Sequence, residues 1–249
     1  ESRVEKLIHQ AEIFARNGSH YNALERLQDA LQLRPDDPDL LVRVARTYLQ
    51  TNQPEEAFAH ADRALQLRPG MPEALIVKSQ ASLISARTLA AAESDTALAP
   101  ATDRATTQTL ETQLETARTL IQQASEAAGS SDSRVQAELI MLEAEVNELS
   151  GNQEAAEASY RRVLEQDPAG EVARAQLINL LLRKAGPEAA AEAETLAREG
   201  ITRTQQAGAT QFHRLLARAQ IAQGRLEDAY ATIEPFLSPD SPNPNLDTF

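Results

Sequence analysis

A six-residue motif that occurs twice constrains this chain more than any other feature of its sequence. Residues 30–35 read Ala-Leu-Gln-Leu-Arg-Pro, and residues 64–69 repeat the same six residues 34 positions later. A fixed period of this length is typical of proteins built from stacked copies of one small unit. Each copy of the motif ends in proline, which lacks an amide hydrogen and clashes with the preceding helical turn. The motif therefore predicts two helices that end at equivalent points of two successive units.

Small and aromatic residues recur with the same period. Ala11 and Ala45 share one position of the unit, and an aromatic residue follows each of them three positions later, Phe14 and Tyr48. Small residues let two helices approach closely, while larger side chains one turn away fill the remaining space. Four more alanines mark the ends of the second helix of each unit: Ala23, Ala30, Ala57 and Ala64. Together these positions resemble the tetratricopeptide repeat family, whose unit is a helix–turn–helix of about 34 residues.

The second half of the chain carries the pattern more loosely. Units that begin at Ala137, at about Glu171 and at about Thr210 have small or apolar residues at equivalent positions, such as Ala144, Ala156, Tyr160, Ile178, Ala190, Ala217 and Ala229. Glycine stands at the predicted turn of each unit, at Gly151, Gly186 and Gly224. The tryptophan of the family is absent from every unit. The resemblance covers roughly two-thirds of the chain.

The segment 72–132 departs from the period. A third unit begins normally at Pro72, but residues 85–87 contain no glycine, proline or asparagine where the turn is expected. One interpretation is a single hairpin of two overlong helices, the first stopped by Pro100 and the second running from about Thr102 to Ala128. The second helix has an apolar seam with coiled-coil spacing: Leu110, Leu114, Ala117, Ile121, Ala124 and Ala128. The alternative is a normal third repeat followed by a fourth without a recognisable turn.

The resemblance implies an all-α fold, a right-handed α-solenoid of about six stacked helical hairpins with one overlong hairpin in the middle. We expect a single solenoid over residues 1–237, with its units at about 4–37, 38–71, 72–132, 133–170, 171–209 and 210–237. Residues 238–249 are rich in proline, which predicts a linker or tail after the last unit.

Composition and motifs argue against several functions. The chain has a formal net charge of −13, which disfavours nucleic acid and anionic lipid as partners. It has no cysteine, and its four histidines are far apart in sequence, so we predict no metal site. None of the common phosphate-binding, dinucleotide-binding or hydrolase motifs occurs, and no apolar run is long enough to span a membrane. We therefore predict no catalytic residues, no cofactor and no enzymatic activity.

The resemblance also implies where a partner binds. In this family the first helix of each unit lines a concave groove that holds an extended peptide or a helix. The repeat frame places the following polar residues of this chain on that surface: Arg16, Arg43, Arg46, Gln50, Gln80, Asn179, Arg183, Arg214 and Arg218. The same frame also places Ile76 and Val77 there.

Two basic clusters stand out among these residues. One consists of Arg43 and Arg46, and the other of Asn179, Arg183, Arg214 and Arg218. Guanidinium groups suit a carboxylate, so we expect a protein or peptide partner that bears one. The full carboxylate clamp of some family members is absent, because its first unit requires Lys and Asn where this chain has Ile8 and Glu12. The alternative is that the arginines only pair with neighbouring glutamates.

Three hypotheses about function follow. The first is a non-catalytic bacterial scaffold that binds a protein partner in its groove. The second is a periplasmic segment of a larger outer-membrane export assembly, for example one for polysaccharide, because such proteins resemble this plan. The third is a self-assembling homo-oligomer that pairs through the seam from Leu110 to Ala128. The sequence leaves the compartment open between bacterial periplasm and cytoplasm, with a slight preference for the periplasm.

Overall fold

The chain is all-helical in a computed structural model that describes residues 2–95, 104–129, 133–204 and 206–237. Within these residues there are twelve α-helices and no strand, which confirms the predicted fold class. The chain divides into two compact units, Glu1–Asn152 and Gln153–Phe249. The first unit contains α1 (Arg3–Arg16), α2 (His20–Leu33), α3 (Pro38–Gln50), α4 (Pro54–Leu67), α5 (Pro72–Asp95), α6 (Arg104–Ala128) and α7 (Ser133–Leu149). The second contains α8 (Gln153–Gln166), α9 (Glu171–Lys184), α10 (Pro187–Arg203), α11 (Gln206–Ala222) and α12 (Leu226–Leu237).

In the first unit the helices form two layers. Each helix packs against the next one in sequence, and α5 also lies beside both α3 and α7. The odd-numbered helices therefore share one layer, and α2, α4 and α6 form the other. Alanines lie where the layers meet, and Ala23, Ala57 and Ala64 are completely buried. Their small side chains allow the backbones of neighbouring helices to approach closely, as expected from the repeat pattern.

The turn inside each short hairpin needs a residue with positive φ. Gly18 has φ +73° between α1 and α2, and Asn52 has φ +57° at the equivalent position between α3 and α4. Glycine adopts this conformation freely, and asparagine tolerates it better than most other residues. The equivalent residue of the third repeat is Ala86, which is buried inside α5. Alanine disfavours the left-handed conformation, and at this position the helix continues instead of turning. The disfavour is not absolute, since Ala185 adopts φ +56° between α9 and α10.

The hairpin of α5 and α6 is longer than its neighbours. The two helices have 24 and 25 residues, compared with 13 in α3 and 14 in α4. Gly129, with φ +63°, follows the last residue of α6. The predicted stop at Pro100 and the predicted start at Thr102 lie outside the described residues, as does the predicted linker 238–249.

The apolar seam of α6 is buried within the first unit. Leu114, Ala117, Ile121 and Ala124 form one cluster with side chains of α5 and α7, such as Leu83 and Leu139, and Leu110 packs against its edge. The hypothesis that two copies pair through the seam is therefore wrong. The coiled-coil spacing does indicate a packed helix, but the seam packs against α5 and α7 of the same chain.

In the second unit α9 and α11 lie side by side, and α10 packs against both of them. Arg174 of α9 is almost fully buried, where it donates hydrogen bonds to Glu199 at 2.8 Å and to the carbonyl of Pro168 at 2.6 Å. These bonds satisfy the guanidinium away from water. At Gly200 the backbone of α10 approaches the ring of Phe212 so closely that no side chain fits between them.

Candidate functional site

On the layer of odd-numbered helices in the first unit, one residue of the predicted cluster of Arg43 and Arg46 is paired. Arg43 of α3 forms an ion pair of 2.9 Å with Glu12 of α1. For this residue the alternative prediction, that the arginine pairs with a neighbouring glutamate, holds. Arg46 is half-buried one turn later and has no hydrogen bond or ion pair with any described residue. Arg16 and Gln50 are exposed in the last turns of α1 and α3.

Farther along this layer the polar residues bond to one another. Gln80 of α5 donates a hydrogen bond of 3.1 Å to Glu138 of α7. About two turns later, Arg87 lies 3.1 Å from the carboxylate of Glu145. Burial raises the pKa of Glu145 above its usual range, although the charge of Arg87 acts in the opposite direction. This end of the layer is therefore acidic and internally bonded, which makes it a poor site for a carboxylate.

Two apolar residues that the repeat frame placed on the groove are not accessible. Ile76 and Val77 are both completely buried. Ile76 belongs to the cluster that α5 forms with α6 and α7, and Val77 packs with Leu41 and Ala45 of α3. Their prediction as surface residues was wrong, because the neighbouring first helices cover them on both sides.

In the second unit three of the predicted residues lie together. Asn179 of α9 and both Arg214 and Arg218 of α11 line one pocket of about 470 Å³. Arg218 donates a hydrogen bond of 2.8 Å to the side-chain oxygen of Asn179, which holds the guanidinium at the pocket. Arg183 is exposed on α9, one turn beyond Asn179, and does not line the pocket.

The same pocket has an apolar side that the repeat frame did not predict. Leu215, Ala217 and Ile221 of α11 line it, together with Ile233 of α12, and Gln211 adds a further polar group. The available signal was the identity of Ile221 and Ile233, two apolar residues on the last two described helices. The pocket thus combines two cationic groups with an apolar wall, a combination suited to an amphipathic segment of a protein.

The described residues also bear on metal binding and membrane insertion. No group of three or more potential ligands that could hold a metal ion occurs in the part of the chain that the structure describes. His60 and His213 instead pack against aromatic rings, Tyr48 at 5.0 Å and Phe236 at 4.8 Å between ring centroids. None of the described helices has the length and hydrophobicity that crossing a bilayer requires.

The sequence matches a known repeat family over part of its length. The profile of the tetratricopeptide repeat matches residues 15–81, which include α2, α3 and α4 and the first ten residues of α5. These residues contain both copies of the six-residue motif. No curated protein matches the sequence significantly.

Several solved structures share the fold at low sequence identity. A thermophilic TPR protein of Thermus thermophilus is 20% identical, with a TM-score of 0.69 over 86% of this chain and 98% of that one. PilW, a widely conserved type IV pilus biogenesis factor, is 14% identical, with a TM-score of 0.67 over 94% and 92% of the two chains. The pilF protein of Pseudomonas aeruginosa is 12% identical, with a TM-score of 0.64 over 94% and 91%. Residues 15–81 of this chain are therefore similar to the tetratricopeptide repeat, and the chain shares its fold with these solved structures.

Proposed function

We propose that this chain is a non-catalytic scaffold that binds a carboxylate-bearing protein partner on the α9–α11 face of its second unit. The observation that carries the proposal is the pocket lined by Asn179, Arg214 and Arg218. A guanidinium presents several donors in one plane and pairs with a carboxylate through two parallel hydrogen bonds. Two such groups on successive turns of α11 can receive two acidic side chains, or one carboxylate from two directions.

The charge of the rest of the chain makes this face selective. A protein of net charge −13 repels most anions, so a partner gains attraction only where cations are concentrated. Nucleic acid and anionic membranes carry extended negative charge and meet the repulsion of the whole molecule. A protein segment with only a few acidic residues is repelled less, because its negative charge is confined to the pocket. We expect binding to weaken as salt increases, because both arginines lie near the surface and are screened.

The proposal can be tested by reversing the two arginines. The immobilised chain is compared with the double variant Arg214→Glu, Arg218→Glu in capturing proteins from an extract of its source organism, with captured proteins identified by mass spectrometry. We expect a partner captured by the native chain to be reduced at least tenfold by the double variant. Circular dichroism should show equal helix content for both chains, since the replaced residues are at the surface.

The matched control is Arg203→Glu, which changes an exposed arginine on α10, outside the pocket. It should leave capture unchanged. Equal capture by the double variant and the control would show that the α9–α11 face is not the binding site. The variant Arg43→Glu, Arg46→Glu tests the first unit in the same assay, and we expect a smaller effect there because these arginines do not line the pocket.

A second proposal places the repeats in a larger bacterial envelope assembly, in the periplasm and as one segment of a longer export protein. The chain shares its fold with PilW, a type IV pilus biogenesis factor, and this similarity supports the proposal. The test is to read the full-length gene and to locate its product by fractionating source cells. A leader sequence and recovery in the periplasmic fraction are expected, whereas recovery in the cytoplasm would contradict the proposal.

A further inference from the structure

The turn between α1 and α2 contains the only asparagine of the sequence that is followed by glycine, Asn17 with Gly18. Both residues are exposed, and the side-chain amide of Asn17 forms no hydrogen bond with any described residue. Such a pair is chemically reactive, because the backbone nitrogen of the second residue can attack the side-chain amide carbon of the first. Glycine has no Cβ to hinder this attack, and its backbone reaches conformations that other residues avoid.

The reaction consumes only water. The backbone nitrogen of Gly18 loses its proton and bonds to Cγ of Asn17, the bond from Cγ to Nδ2 breaks, and the amide group leaves with a proton as ammonia. The product is a cyclic succinimide. Water then breaks one of the two bonds between the ring nitrogen and a carbonyl carbon. Breaking the bond to Cγ gives aspartate, and breaking the bond to the main-chain carbonyl carbon gives isoaspartate, in which the backbone runs through Cγ.

The folded turn keeps the reacting groups apart. Asn17 ends α1 with φ −89° and ψ 9°. At this ψ the nitrogen of Gly18 eclipses the backbone nitrogen of Asn17 and not its Cβ, so ring closure requires rotation about the bond between Cα and the carbonyl carbon. The amide of Gly18 also donates a hydrogen bond of 3.0 Å to the carbonyl of Ala15, and this bond must break before the nitrogen can react. The reaction therefore requires the turn to open.

Opening of this turn is a local event. The amide of Asn17 donates hydrogen bonds of 3.2 Å to the carbonyls of Ile13 and Phe14, and the amide of Ser19 donates one of 2.8 Å to the carbonyl of Phe14. Such bonds at the end of a helix break far more often than the whole protein unfolds. The ring of Phe14 packs against the buried cluster that contains Ala11 and anchors the last turn of α1. Weaker packing of this ring should therefore increase opening without changing the reacting residues.

The equivalent turn of the next hairpin lacks this chemistry. Asn52 holds the position of Gly18 between α3 and α4, with φ +57°, and the residue that follows it is Gln53. The Cβ of glutamine hinders the attack of its backbone nitrogen on the preceding side chain. Asn52 is therefore an internal reference for Asn17 in the same fold.

We propose that Asn17 is a site of spontaneous deamidation whose rate is set by opening of the α1–α2 turn, and that both products loosen this turn. Aspartate places a negative charge at the C-terminal end of α1, where the helix dipole disfavours it. Isoaspartate adds a methylene to the backbone ahead of the nitrogen of Gly18, so the amides of Gly18 and Ser19 cannot both keep their bonds to Ala15 and Phe14. Each modified chain therefore opens more easily than the native one.

The test follows Asn17 in the whole chain during incubation in warm, mildly alkaline buffer, with and without denaturing urea. A glutamate-specific protease releases residues 13–25, and fragmentation in the mass spectrometer locates the mass increase of deamidation. We expect slow, measurable deamidation of the native chain, at least tenfold faster deamidation in urea, and no reaction of Asn52 in the native chain. Equal rates with and without urea, or no deamidation of the native chain, would overturn the proposal.

Two variants distinguish opening of the turn from unfolding elsewhere. Phe14→Ala weakens the last turn of α1, and Tyr160→Ala removes a buried ring from α8 in the second unit. We expect Phe14→Ala to accelerate deamidation of Asn17 at least threefold and Tyr160→Ala to leave the rate unchanged. Equal acceleration by both would contradict control by this turn. If circular dichroism shows that Phe14→Ala is unfolded, the native chain is used at urea concentrations that preserve its helix content, and a rate that does not rise with urea would overturn the proposal.

The effect of the products is measured by amide hydrogen exchange in residues 3–16. Fresh native chain is compared with native chain aged until most of Asn17 has reacted, and with Asn17→Asp, which supplies the charge without the added methylene. We expect faster exchange in both than in the fresh chain. Asn17→Gln, whose longer side chain does not form the same ring, is aged in parallel and should show no acceleration on ageing. Equal exchange in fresh and aged native chain would show that the products do not loosen the turn.

Discussion

Glu194 of α10 illustrates how one side chain can join two parts of the second unit. Its carboxylate accepts hydrogen bonds of 2.7 Å from Arg198 and from Arg225, and one of 2.8 Å from Gln223. Only 12% of the side chain is exposed. Burial opposes ionisation of this carboxylate, but the bonds from Arg198 and Gln223 and the charge of Arg225 outweigh it and lower its pKa. The acid therefore stabilises the packing of α10 against the turn that precedes α12.

Replacing Glu194 with Gln should destabilise the second unit by about 1–2 kcal/mol at neutral pH, because bonds to charged groups are lost. The folded pKa of Glu194 lies below its ordinary value of 4.5. Its contribution is therefore fully present above about pH 4.5 and is lost as the pH falls through the folded pKa. Urea unfolding at about pH 7 and about pH 3 measures the difference between the two chains.

The control for this prediction is Glu165→Gln, which changes an exposed glutamate of α8. Its effect should stay within about 0.5 kcal/mol. A constant gap between the native chain and Glu194→Gln from neutral to acidic pH would contradict the pKa argument, even if the variant is less stable.

Single residues show where sequence reasoning succeeds and where it stops. Asn52 and Gly18 share a repeat position, so a turn at Asn52 can be predicted from sequence. The ion pair of Arg43 with Glu12 cannot, because the repeat frame places both residues on one surface without deciding whether they bond to each other or to a partner. That choice depends on the distance between α1 and α3.

At the scale of an element, α3 depends on its first residues. The side chain of Asp37 accepts hydrogen bonds of 3.1 Å from the backbone amides of Asp39 and Leu40, and Pro38 occupies the first helical position. These amides have no partner within the helix, so the carboxylate satisfies groups that would otherwise require water. Asp37 at this junction is therefore a helix cap, as its position before the helix predicts.

We expect Asp37→Ala to lower the free energy of unfolding by about 1 kcal/mol through the loss of this cap. Asp36→Ala is the matched neighbour, since Asp36 makes only an exposed ion pair with Arg63. Such pairs contribute between about 0 and 1 kcal/mol, so this variant should be affected less. Thermal unfolding of the two variants measures the difference, and an equal loss from both would contradict the role of Asp37.

The contact between α10 and α11 supports a second prediction at this scale. A Cβ atom added at Gly200 would lie 2.3 Å from the ring of Phe212, which is completely buried. Glycine to alanine normally stabilises a helix by about 1 kcal/mol. Here we expect Gly200→Ala to destabilise the protein by about 1–3 kcal/mol, because the two helices must move apart.

A compensating change tests whether the ring is the cause. Phe212→Leu removes part of the ring, so the double variant Gly200→Ala, Phe212→Leu should lose less stability than the two single changes added together. Urea unfolding of the three variants gives the coupling energy. Simple additivity would show that the close approach of Gly200 to Phe212 does not limit packing.

At the scale of the whole molecule, the two compact units have separate internal contacts. In a repeat protein each hairpin mainly contacts its neighbours, so a local defect should loosen nearby helices first. We expect Gly200→Ala to accelerate amide hydrogen exchange in residues 187–222 and to leave residues 3–67 unchanged. Mass spectrometry of peptide fragments measures both regions. A uniform acceleration along the chain would contradict this locality.

The sequence by itself determined the all-helical fold, the repeat frame, the turns at glycine and asparagine, and the absence of a turn at Ala86. These features follow from local backbone preferences and from a period that the units share. The tertiary structure decided which surfaces remain open. It buried Ile76, Val77 and the seam of α6, because helices of the same hairpin and of neighbouring hairpins cover them. It also left Ile221 and Tyr230 exposed, since whether an apolar side chain is covered depends on its neighbours in space and not on the side chain itself.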